Sequence, residues 1–196
     1  MQFPLTMTFK ILALAPQIFV RDANGNDLLY VKQKLFKLRE AIHIFSDQSQ
    51  SDQRYQIKAD RIIDFSARYE ITDYQGITLG AIKREGARSL WRASYKIFKG
   101  DSIVYQIREE SVMNRVLDGL FGEIPVIGLL SGYIFNPAYL VKLPGDESET
   151  VLRFAKQPSL FESNFIIEKH HDVGEQDEEL LLLSVLMCTL LERTRG

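Results

Sequence analysis

The chain has 196 residues, 45% hydrophobic and 26% charged, the composition of an ordinary globular protein long enough to build one large core. Its 24 basic and 26 acidic side chains leave a formal net charge of -2, which excludes a global electrostatic pull toward nucleic acid or anionic lipid and leaves only local patches to consider. Cys188 is the one cysteine, so no internal disulfide can form; the expected location is a reducing one, the cytoplasm, with a peripheral place at a membrane surface as the variant.

Near the N-terminus, Phe9 to Ala15 is apolar and Ala13-Leu14-Ala15 resembles a cleavage triplet. No basic residue precedes the run, Lys10 lies inside it, and Pro16 would directly follow the cut, so a first β-strand is expected there instead of a secretion signal. From Ile18 to Glu109 one pattern recurs: an alternating apolar strand, a short turn rich in Asp, Gly or Asn, and a second alternating strand that ends in charge. The units are Ile18 to Asp22 with Asp27 to Lys34, Ile42 to Asp47 with Gln53 to Lys58, Tyr69 to Asp73 with Ile77 to Lys83, and Tyr95 to Phe98 with Ser102 to Arg108. Asn24-Gly25 is a strong hairpin signal, because both residues accept positive φ at little cost. The turns near Asp22, Asp47, Asp73 and Gly100 follow at intervals of roughly 26 residues, the length of two strands and two turns. A meander of hairpins is therefore expected, and its one-faced strands must curl around something apolar or stack on a second sheet.

Ser111 to Gly122 places Val112, Met113, Val116, Leu117, Leu120 and Phe121 at helical spacing, which predicts a short amphipathic helix. Glu123 to Gly132 is apolar but broken by Pro125, Gly128 and Gly132, so it reads as a buried connection or edge strand. Strands are expected at Tyr139 to Leu143, Thr150 to Lys156 and Phe161 to Glu168, the first two joined by Pro144-Gly145-Asp146. The last element follows Glu175-Gln176-Asp177-Glu178-Glu179: twelve residues, Leu180 to Leu191, without charge and with only Ser184 and Thr189 polar. Acidic residues at its start, Arg193 and Arg195 at its end, and no proline predict a helix. A helix apolar on every side is surrounded by protein or lipid. Twelve residues span roughly 18 Å where a bilayer core needs about 30 Å, so enclosure by the strands is expected, with Ser184 and Thr189 returning their hydroxyl bonds to carbonyls one turn back.

The hairpin repeats, the Gly/Pro connection leading into Gly132-Tyr133-Ile134-Phe135-Asn136-Pro137-Ala138-Tyr139-Leu140-Val141, and the apolar terminal helix together resemble the LURP-one-related family, which shares the tubby-like fold with phospholipid scramblases. The resemblance covers nearly the whole chain and rests on apolar spacing and turns rather than invariant catalytic letters. It implies a mostly β single domain over residues 1–196, a closed antiparallel barrel of about twelve strands around a central hydrophobic C-terminal helix. For function it implies less: tubby-like domains bind phosphoinositide head groups through basic side chains, while LURP-one-related members have no agreed biochemical activity. The sequence shows neither the long terminal membrane segment nor the cysteine cluster of scramblases, so scrambling is not carried over.

The candidate site is basic. Lys83, Arg84, Arg88, Arg92 and Lys96 fall on one hairpin connection around Trp91, and alternation puts Arg92 and Lys96 on one face with Trp91, Ala93, Tyr95 and Ile97 on the other. Converging cations could hold an anionic head group; equally, solvated charges on a strand edge block aggregation. Lys32, Lys34, Lys37 and Arg39 pose the same choice. His170 and His171 point to opposite faces of an extended chain and suit one metal ion poorly, and His43 stands alone. The carboxylates from Glu175 to Glu179 lack the spacing of a calcium loop, and Cys188 inside an apolar helix is no nucleophile. With no phosphate-cradling loop, nucleophile elbow or paired metal signature, no enzyme activity, catalytic residue, metal or cofactor is expected. The expected function is a non-enzymatic binding module recognising phospholipid head groups or a protein partner at a membrane surface; the alternative is a protein scaffold or small-ligand barrel with no membrane role. Nucleic acid is not an expected partner, no transmembrane segment is expected, and the oligomeric state stays open.

Overall fold

The computed structural model describes residues 1–10, 17–32, 41–61, 67–86, 93–110, 137–145, 149–159 and 162–193. Twelve strands are formed there: β1 Leu5–Lys10, β2 Gln17–Arg21, β3 Asp27–Lys32, β4 Ile42–Phe45, β5 Gln53–Ala59, β6 Arg68–Asp73, β7 Thr78–Arg84, β8 Ser94–Lys99, β9 Ser102–Glu109, β10 Ala138–Lys142, β11 Thr150–Gln157 and β12 Ser163–Lys169. One helix, α1 Glu175–Arg193, follows them. Each strand pairs antiparallel with its neighbours in sequence, and β1 pairs with both β2 and β12, so the sheet closes into a barrel with no free edge.

The turns behind this meander share one local chemistry. Asp22 accepts hydrogen bonds at its carboxylate from the N–H groups of Asn24 and Asn26, both at 2.9 Å, and Asp73 does the same for Gln75 and Ile77 at 2.9 and 2.8 Å. In each, the glycine three residues after the aspartate takes positive φ, 82° at Gly25 and 81° at Gly76. Asp47 caps its own turn through Ser49 N–H at 2.7 Å, but here Gln50 occupies the glycine position at φ 58°.

Alternation sends one face of every strand inward, for example Leu5, Met7 and Phe9 of β1, Ile42 and Ile44 of β4, and Tyr95 and Ile97 of β8, all at most 2% exposed. Those faces meet α1, which is buried without interruption from Leu180 to Leu190. The helix touches the wall on many sides: Leu180 abuts Gly80 of β7, Glu192 meets Tyr95 of β8, Asp177 meets Tyr105 of β9, Glu178 meets Lys169 of β12, and Arg193 lies over the Phe9 ring of β1. Gly80 makes the closest approach possible, since a Cβ there would lie 2.8 Å from a Leu180 methyl and still nearer the Phe98 carbonyl oxygen.

Two expectations are corrected. The first described strand is Leu5–Lys10 and starts before the expected Phe9, because Leu5, Met7 and Phe9 alternate with Thr6, Thr8 and Lys10 in register with both β2 and β12; residues 11–15 of the expected run lie outside the described residues. Thr189 does return its hydroxyl to the Val185 carbonyl at 2.8 Å, but the Ser184 hydroxyl is buried with no hydrogen-bond partner among the described residues. The helix expected over Ser111 to Gly122 and the connection after it lie outside the described residues.

Candidate functional site

The topology sorts charge between the two ends of the barrel. Odd-numbered strands run toward the C-terminal end of α1, where β1 presents Phe9 to Arg193 and β7 presents Arg84 to Glu192. Each of these strands carries a cation at its last residue or the one before it: Lys10, Lys32, Lys58, Lys83 with Arg84, Arg108 and Lys156. The even-numbered strands run back to turns marked by Asp22, Asp47, Asp73 and Asp101, the end at which α1 begins with Glu175, Asp177 and Glu178. The polarity complements the helix dipole, with carboxylates at its positive end and cations at its negative end.

The two sets of charges are not equally satisfied. Near the acidic end, Arg21 holds Asp27 at 2.7 Å, Arg54 holds Asp52 at 3.5 Å, Lys169 holds Glu178 at 2.9 Å, and Lys99 is bonded to Asp177. Burial works against ionisation of Asp177, yet the hydrogen bonds from Lys99 and Tyr105 outweigh it and hold the carboxyl below its ordinary range. Tyr55, close to Glu179, is pushed up to about 12, first by burial and then by that carboxylate. At the other end Lys32, Lys58 and Lys83 make no ion pair with a described residue. They sit on alternate strands of one arc, β3, β5 and β7; Lys58 is level with Ala81 through Glu70, two residues short of Lys83, so those two lysines are roughly 12 Å apart.

Of the five basic candidates, three are described. Lys83 and Lys96 are direct cross-strand neighbours on the outer face, with Arg68 opposite Lys83 on its other side. Lys96 is neutralised by Glu85 at 2.7 Å, and the Arg68 guanidinium lies 4.7 Å from the Phe98 ring centre. Arg84 is separated from them: one residue on in a strand, it points into the barrel, 7% exposed, 3.5 Å from Glu192 and over the Tyr95 ring. The Tyr95 hydroxyl donates to the same Glu192, and burial, with Cys188 and Glu192 nearby, pushes that phenol well up. Ala93, Tyr95 and Ile97 face inward as alternation requires. Arg88, Arg92 and Trp91 lie outside the described residues, as do Lys34, Lys37 and Arg39. His171 has Glu149 at 3.7 Å, His43 bonds Gln53 at 2.9 Å, and no group of three or more potential metal ligands is gathered among the described residues. The Cys188 thiol is pushed up by burial.

Residues 27–122 match the family model described as LURP-one-related. Over this segment, just under half of the chain, the sequence is similar to that family. The matched segment runs from β3 through β9 to residue 122, so it contains Lys32, Lys58, Lys83 and all five basic candidates, while Lys10, Lys156 and α1 fall outside it. Among solved structures, an X-ray structure of a protein from Arabidopsis thaliana is 14% identical, with a TM-score of 0.49 over 98% of this chain and 92% of that one. No curated protein matches the sequence.

The separation of charge between the two ends has a trace in the sequence pattern that no single basic run carries. A net charge of -2 conceals two opposed ends, and the alternation of an aspartate turn with a strand carrying lysine or arginine at or beside its last residue is their linear trace.

Proposed function

We propose that this protein is a non-enzymatic binding module that sets the α1 C-terminal end of its barrel against anionic phospholipid head groups. The observation that supports this most is that Lys32, Lys58 and Lys83, on alternate strands of one arc at this end, make no ion pair with a described residue, whereas Arg21, Arg54, Lys99 and Lys169 near the acidic end do. A basic residue close to an anionic leaflet contributes about 1 kcal/mol, and the lysine spacing is comparable to the Debye length of about 10 Å at 0.1 M salt, so the three add nearly independently. The acidic end then faces away from the surface. No described helix is long and apolar enough to cross a membrane.

Flotation with vesicles of neutral lipid, of neutral lipid plus phosphatidylserine, and of the latter plus a phosphoinositide tests the reading. Binding is expected only with the anionic vesicles, falling as salt rises. The triple variant Lys32→Glu, Lys58→Glu, Lys83→Glu removes about 3 kcal/mol, on the order of 100-fold in partitioning. Equal binding by the variant sinks the proposal. Absence of binding to any vesicle at low salt favours a protein-binding role, for which the exposed Tyr74, Ile77, Ile103 and Leu143 on three neighbouring hairpin tips at the opposite end are the supporting feature.

A further inference from the structure

Beside the last turn of α1, between β10, β11 and β12, lies a cavity of about 180 Å³. Its apolar part is formed by Phe165, Pro137 and the ring of Tyr139, which stacks on Phe154 at 4.8 Å. Its polar part is formed by Lys156, Arg193, Thr189 and Glu192. The groups are unequally committed. Thr189 gives its proton to Val185, and Glu192 is held by the Tyr95 hydroxyl and by Arg84 at 3.5 Å. Lys156 makes no ion pair with a described residue, and the Arg193 Nε is buried with no hydrogen-bond partner among them. Two cationic side chains, Lys156 and Arg193, therefore line one small cavity, and the ammonium has no carboxylate committed to it among the described residues, so an anion there would be stabilised.

We infer that this cavity binds a small monocarboxylate with a ring-sized apolar body, its carboxylate toward Lys156 and Arg193 and its body against Phe165 and the Tyr139 ring. Size sets the class: an apolar cavity of about 150 Å³ admits a benzene ring, so the space here takes one ring and a carboxylate and is too small for a nucleotide or an inositol phosphate. Charge narrows it further. A dianion would meet the Glu192 carboxylate in the same cavity, and a neutral ligand would leave the two cations dehydrated without a counter-charge. The site is separate from the lysine arc on β3, β5 and β7, and its occupancy does not depend on membrane binding.

The test uses the full chain with benzoate, its neutral methyl ester and inorganic phosphate, followed by isothermal calorimetry and thermal unfolding. Saturable binding of benzoate at millimolar concentration, with a rise in Tm that neither the ester nor phosphate reproduces, is the expected result. Lys156→Met should weaken benzoate at least tenfold, and Phe165→Trp, which fills the cavity, should abolish binding. Lys142→Met, on the outer side of β10, should bind as the parent does. Should Phe165→Trp fail to fold, Lys156→Met alone decides. No saturable benzoate binding, equal binding by Lys156→Met, or an equal response to phosphate overturns the inference.

Discussion

The contact between Gly80 and α1 gives the sharpest test of a helix enclosed by the sheet. In Gly80→Ala the new methyl would lie 2.8 and 2.9 Å from the two Leu180 methyl carbons, about 0.7 Å inside the carbon–carbon optimum of about 3.5 Å, and closer still to the Phe98 carbonyl oxygen. The leucine can swing aside, but the carbonyl belongs to β8, whose Phe98 is in register with Ala81 of the same strand as Gly80, so it retreats only by stretching the β7–β8 ladder. Overpacking of this kind costs about 1–3 kcal/mol, and the backbone obstacle puts this case at the upper end. Loss of glycine's freedom in the unfolded chain returns about 0.4–1 kcal/mol, leaving a net loss of about 2 kcal/mol. For a chain of this length, that lowers Tm by roughly 4–8 °C. Gly86→Ala is the control, with nothing within 4 Å of the added methyl and no positive φ, and should stay within about 0.5 kcal/mol of the parent. Adding Leu180→Ala to Gly80→Ala should cost less than the sum of the single changes, because part of the clash leaves with the leucine. Thermal unfolding followed by circular dichroism measures the parent, the three single variants and the double variant. A Gly80→Ala Tm within about 2 °C of the parent would show that Leu180 does not press on β7 and would refute the enclosed-helix geometry.

The turn at Asp47 offers a stabilising change: Gln50 adopts φ 58° where its counterparts Gly25 and Gly76 carry no side chain, so Gln50→Gly should raise Tm by a few degrees, worth up to about 1 kcal/mol, and an unchanged or lower Tm would refute the equivalence of the turns. The Asp177 carboxyl is held below its ordinary value in the folded protein, so its contribution to stability is present above the unfolded value of about 3.9 and is lost as pH falls through the lower folded value. The stability gap between the parent and Asp177→Asn should therefore be constant from about pH 5 to 8 and narrow below about pH 4, and a gap that widens in acid would reverse the assigned sign. Asp22, Asp47, Asp60, Asp172 and Glu85 are lowered as well, so the parent itself should lose stability in the same acidic window.

Local chemistry was the part of the fold written plainly in the chain. The turns at Asp22 and Asp73 are specified by an aspartate that bonds the next N–H groups and a glycine free to take positive φ, and neither requirement refers to distant residues. The terminal helix was legible because a run apolar on all sides, acidic before and basic after, has few other outcomes. The start of β1 was misplaced for a related reason: apolar content marked Phe9 to Ala15, while the alternation Leu5, Met7, Phe9 that pairs with β2 and β12 is a quieter signal.

What tertiary structure decided was the side of the wall on which each charge falls and what answers it. Lys83 and Arg84 are adjacent letters in the same basic run, yet one lies on the outer surface beside Lys96 and the other is drawn inside. The inward arginine is met by Glu192, brought 3.5 Å away by the last turn of a helix encoded far downstream, and by the Tyr95 ring, and no local pattern announces that meeting. The same holds for the two ends of the barrel. The sequence by itself determined that strands carrying a cation at or beside their last residue alternate with turns holding aspartate; only the antiparallel barrel, which aligns every odd strand with the direction of α1, gathers those cations at one end, where Lys32, Lys58 and Lys83 make no ion pair with a described residue.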